Sequence, residues 1–183
     1  MTKLKNNAKD QRLTRMMMPD PVLDFVLDIN VEAEDWSSQV ADARTLITPI
    51  FEKTLTFVDL GDVSALEISV LLTDDAHQQV LNAQWRNLDK TTNVLSFPSG
   101  ESSHSTDVAL FMGDISLAFE TVVKEAQNQR LSFSDHLSHL LVHGLLHLLG
   151  FDHEVDEDAH EMETLEIEIL ETLGIKNPYA QAP

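Results

Sequence analysis

The segment HGLLHLLGFDH, residues 143 to 153, constrains the fold of this chain more than any other. His143 and His147 stand four residues apart, so on an α-helix their side chains share one face. Gly150 follows, and glycine readily takes the positive φ that lets a chain leave a helix and turn back. That turn carries His153 toward the two helical histidines. The spacing therefore asks for a helix, a sharp stop and a returning loop, with three imidazoles meeting at one point.

Three imidazoles suit Zn²⁺, bound at about 2.0–2.1 Å per nitrogen, and three protein ligands leave a fourth position open. Neutral ligands leave the ion's double charge uncancelled, which favours acidification of a bound water. Metzincin peptidases use the same histidine and glycine spacing, but with glutamate directly after the first histidine. Here that position is Gly144. Peptide hydrolysis needs a general base beside the metal, and glycine supplies none. Asp152, Glu154 and Asp114 are the acids considered as substitutes. Each is expected instead to be a hydrogen-bond partner of a ligand or a solvated acid. His139, one turn before His143, is read with His136 as a packed or hydrogen-bonded neighbour rather than a ligand. His77, His104 and His160 carry no expected role.

The pattern along the rest of the chain predicts strands over 22–31, 65–73, 93–98 and 113–119. Helices are expected over 37–55, 74–89, 120–129, 134–150 and 155–173. Pro49 predicts a break or kink in the first helix. Asp74 and Asp75 are candidate caps of the second, and Ser134 of the fourth. The last helix carries Met162, Leu165, Ile169 and Leu173 at helical spacing. Nine acids and no Lys or Arg fall between residues 154 and 171, which reads as a solvated face. No internal repeat is present. The chain divides into a basic, flexible arm over 1–18 and a single domain over 19–183.

With 183 residues, 43% of them hydrophobic, the chain can bury a real core. It has no cysteine, which excludes disulfides and thiolate metal sites and fits a reducing compartment. No apolar run reaches the roughly 18 residues of a membrane span, and the N-terminus lacks a secretory signal's apolar segment. A cytoplasmic protein without a membrane partner is expected. The net charge of −19 is uneven: Lys3, Lys5, Lys9, Arg12 and Arg15 against Asp10 give residues 1–15 a charge of +4, leaving −23 on the remainder. That balance argues against a broad basic face for nucleic acid.

Several segments together are similar to one family. HLLVHGLLHLLGFDH (139–153), VLLTDDAHQQVLNAQWRNLDKTTNVLSFP (70–98), GDISL (113–117) and EDAHEMETLEIEILETLGIKNPY (157–179) resemble the YbeY family of bacterial endoribonucleases, also called rRNA maturation factors. The resemblance covers roughly residues 22–180. Thr91 stands where the family often has proline and Phe151 where it often has tyrosine. The resemblance implies an α+β fold with a small mixed four-stranded sheet and about five surrounding helices. It implies one Zn²⁺ per chain on His143, His147 and His153, with catalysis carried by the His143 site and by Arg86. It implies cleavage of single-stranded RNA, in 16S rRNA 3′-end maturation and ribosome quality control, with the ribosome or a ribosome-associated protein as partner. The nucleophile, water or the RNA 2′-OH, is left open, as is the oligomeric state. Two other readings compete: a metallopeptidase-like hydrolase, and a non-catalytic ribosome-assembly factor that zinc merely stabilises.

Overall fold

The computed structural model describes residues 24–61, 63, 65–100 and 109–180. The basic arm, His104 and most of the 99–106 loop lie outside the described residues. Four strands form one sheet: β1 (Asp24–Val31), β2 (Ala65–Thr73), β3 (Val94–Pro98) and β4 (Leu110–Ala118). Their spatial order is β1-β2-β4-β3, with β1/β2 and β2/β4 parallel and β3/β4 antiparallel. The helices are α1 (Ala43–Leu55), α2 (Asp75–Arg86), α3 (Phe119–Gln129), α4 (Phe133–Leu148) and α5 (Asp156–Thr172). This is the mixed α+β architecture that the resemblance implied.

Strand alternation gives the sheet two different faces. Leu27, Ile68, Val70, Ile115 and Leu117 point to one side and are almost fully buried. α4 covers that side, contributing Leu137, Leu141, Leu145 and Leu146 to the same core. Burying each such side chain stabilises the fold by about 1.5–3 kcal/mol. The helix lies close against the sheet at Gly144, where an added Cβ would lie 3.0 Å from Ile115 Cγ2 and 3.2 Å from Ser96 Oγ. Ser96 on the edge strand β3 donates its hydroxyl to the Gly144 carbonyl at 3.0 Å. On the opposite side of the sheet lies α2, where the buried Gln78 donates to the Ser116 carbonyl at 3.2 Å. The N-termini of α2 and α3 exchange contacts: Asp75 N donates to Glu120, and Thr121 N donates to Asp75.

The first helix differs from expectation. It begins at Ala43, not at 37, and runs on through Pro49 without a break. Its start is fixed by Asp42, whose carboxylate accepts from the backbone N–H groups of Arg44 and Thr45. The bond that Pro49 cannot donate would fall on the carbonyl of Thr45. Thr45 and Pro49 are both exposed, so water can reach that carbonyl. Upstream, residues Glu34–Ser38 form a short 3-10 turn around the buried Trp36, whose indole N–H donates to the Thr73 carbonyl at 2.9 Å. The cap of α4 is Ser132 in place of Ser134: its hydroxyl accepts from Asp135 N at 3.0 Å.

Candidate metal centre

α4 ends at Leu148, and the chain turns at Gly150 with φ of +90°. Gly150 N donates to the His147 carbonyl and Phe151 N to the Leu146 carbonyl, each at 3.0 Å. This reversal buries Phe151 and brings His153 back over the helix end. Ligand nitrogens of His143, His147 and His153 all lie within 4.8 Å of one another. His143 Nε2 and His147 Nε2 face each other at 3.1 Å.

Each helical histidine is held from behind. His143 Nδ1 donates to Glu166 Oε1 at 2.8 Å, and His147 Nδ1 donates to the Phe151 carbonyl at 3.1 Å. With the proton on Nδ1, the Nε2 lone pair is free and aimed at the cluster, which is how metal-bound imidazoles are usually oriented. Burial, with further contributions from His143 and His153, pulls the His147 imidazole down to about 4, so it is neutral near pH 7. Three converging imidazole nitrogens fit a divalent ion of borderline softness, and the cluster can hold a metal.

Glu166 on α5 is the residue that sequence reasoning missed. It is 1% exposed. Burial opposes its ionisation, but hydrogen bonds with His139 and His143 together outweigh it and hold the carboxyl down to about 2. Its second oxygen takes His139 Nε2 at 2.9 Å and the hydroxyl of Tyr179. Burial and the neighbouring Glu166 charge push the Tyr179 hydroxyl well above its usual range. The signal was in the sequence: Glu166 interrupts the buried stripe of Met162, Leu165 and Ile169 at helical spacing. The nine acids therefore do not all belong to a solvated face.

Of the acids considered from the sequence, only Asp152 stands beside the cluster. Asp152 accepts from His153 N at 2.7 Å, Glu154 is exposed, and Asp114 stands on the far face of the sheet. His139 lies outside the three-histidine cluster, as expected, and His136 pairs with Glu125 at 2.8 Å. His77 bonds to Glu32, and His160 is exposed. Arg86 is the exposed last residue of α2, ended by Asn87 in the left-handed region at φ of 57°. Its Nη2 donates to the Ser96 carbonyl at 3.0 Å. Since Ser96 also binds the Gly144 carbonyl, two hydrogen bonds connect Arg86 to the residue beside His143.

Residues 28–174 match the family model described as Endoribonuclease YbeY. The chain belongs to the YbeY family. Among curated YbeY endoribonucleases, that of Bartonella henselae is 46% identical over 161 residues, which is 86% of this chain and 98% of the relative. The Bradyrhizobium diazoefficiens YbeY is also 46% identical, over 85% of this chain and 86% of its own length. A Thermotoga maritima protein solved in solution shares the fold at a TM-score of 0.50 and 22% identity, covering 86% of this chain and 98% of that one. No helix among the described residues is long and apolar enough to cross a membrane.

Proposed function

We propose that this YbeY-family chain is a zinc-dependent endoribonuclease that cuts single-stranded RNA, acting in 16S rRNA 3′-end maturation and ribosome quality control in the cytoplasm. The observation that carries the reading is a three-imidazole cluster with no acidic side chain at the position after His143, joined through Ser96 to an exposed arginine. His143, His147 and His153 would hold the ion, which supplies Lewis acidity toward a phosphate oxygen and acidifies water when bound.

The protein's own groups do the rest. Glu166 and the Phe151 carbonyl fix the ring orientation of His143 and His147, so no reorganisation is needed at the moment of reaction. Arg86 commits one N–H to Ser96 and keeps other guanidinium donors for non-bridging phosphate oxygens. A planar, permanently charged fork suits the charge that develops there.

A peptidase reading is disfavoured by position 144. Gly144 faces Ile115 and Ser96, so the Cβ of a glutamate there would meet the sheet. The test is cleavage of a single-stranded RNA and of the same sequence in duplex form by metal-defined protein, beside an unstructured peptide. Cleavage of the single strand alone is expected. Turnover of the peptide, lost in His143→Ala, would overturn the reading in favour of a peptidase. Loaded, folded protein that cuts neither would favour the zinc-stabilised assembly factor.

A further inference from the structure

The sheet face opposite α4 carries a groove of about 700 Å³ that the metal centre does not use. That lies inside the range of about 300–1,000 Å³ typical of small-ligand sites. The strand register explains its floor. Asp28 pairs with Ser69, Ser69 with Asp114, and Asp114 with Phe97, so one cross-strand row spans all four strands on the same face. α2 supplies the wall with Trp85 and Arg86. Trp85 is 61% exposed and meets Phe97 edge to face, with ring centroids 6.1 Å apart.

The charges select the occupant. Asp28 and Asp114 are exposed on the floor, Glu32 adds a third carboxylate to the lining, and Arg86 is the only cation among the described lining residues. A run of phosphates would be repelled, whereas one phosphate at the Arg86 end would not. Carboxylates accept hydrogen bonds from amino groups on base edges, and an exposed indole is a stacking surface for any base. Ser116, 2% exposed, also lines the groove, and its hydroxyl has no hydrogen-bond partner among the described residues.

We propose that this groove is a subsite for one unpaired nucleobase bearing an exocyclic amine, stacked on Trp85, adjacent to the phosphate held by Arg86. The proposal rests on the endoribonuclease reading for the identity of that phosphate. It also supplies a physical basis for single-strand preference: a base whose amine is bonded to Asp114 or Asp28 is not available to a complementary strand.

The test uses the metal-loaded full chain and its two tryptophan indole N–H resonances. Trp36 is buried and hydrogen-bonded to Thr73, so it serves as an internal reference. Titration with AMP or CMP should move the Trp85 signal and leave Trp36 still. UMP should move it less, and ribose 5-phosphate should leave it in place. In Asp114→Asn, the difference between CMP and UMP should shrink. Trp85→Ala, at an exposed position, should fold normally and cut single-stranded RNA about tenfold less efficiently. A single abasic nucleotide beside the cut should mimic that loss in the wild type and add nothing in the variant. A silent Trp85 signal together with full activity of Trp85→Ala would overturn the base subsite and leave the nuclease reading standing. Base-dependent shifts in a protein that cuts no RNA would uphold the subsite and remove the nuclease reading.

Discussion

The two helices that carry the candidate site differ in how they present their side chains. α4 buries Leu137, Leu140, Leu141, Leu145, Leu146 and Leu148, and its two cluster histidines are tied from behind to a carboxylate and a carbonyl. α2 ends in the open, with Val80 and Trp85 more than half exposed and Arg86 held, among the described residues, by a hydrogen bond to the Ser96 carbonyl. On the proposed function, the contrast matches what each would grip. A metal ion tolerates little error in ligand geometry, and two of its three proposed ligands sit on the buried helix α4. A phosphate on a mobile strand can be met by a long side chain that adjusts.

Four measurements would sharpen or break this contrast. The largest effect is expected from His147→Ala, which removes a ligand from the rigid side: metal analysis should fall from one ion per chain to near none, with RNA cleavage at background. Full occupancy in that variant would dissolve the cluster as a site. Arg86→Ala acts on the open side alone. Thermal stability and metal content should be unchanged, while cleavage drops by about 10²–10³. Loss of metal or fold in this variant would show that the two sides are not separable.

How much of this contrast could be read in advance differs between the sides. The cluster was legible because i, i+4 histidines and a helix-stopping glycine are local patterns. The four strands and five helices were also legible, since alternation and helical spacing are local too, but the start of α1 was placed six residues early, at 37 in place of Ala43. What binds the elements together was not. Glu166 lies 23 residues beyond its partner His143, and only packing of α5 on α4 makes them neighbours. The continuity of α1 through Pro49 depended on which face met water. The groove is a row of residues from four strands and could be seen only once their register was known.

The third measurement probes that non-local link. Glu166→Gln keeps shape but removes the charge behind His143, and metal affinity should weaken by about 10–100-fold in a competition titration with a chelator. An unchanged affinity would mean that helix geometry alone orients the ring. The smallest effect concerns charge. With seven Lys or Arg after residue 15, binding of single-stranded RNA by a chain lacking residues 1–15 should show a shallow salt dependence, equivalent to about two or three phosphates at roughly 0.7 each. A slope implying six or more would reveal a basic track on the surface. A shallow slope agrees with substrate delivery by the ribosome or an associated protein.

Gly144 has a consequence for how such a fold can change over evolutionary time. The position that would hold a peptidase's glutamate is also where α4 leans on β3 and β4. A single substitution there meets the sheet before it meets any substrate. New chemistry at the histidines would have to be reached through the loop after Gly150 or through α5, where side chains can be exchanged without moving the helix. The same close contact that holds the helix to the sheet thus closes the shortest mutational route from one hydrolase class to another.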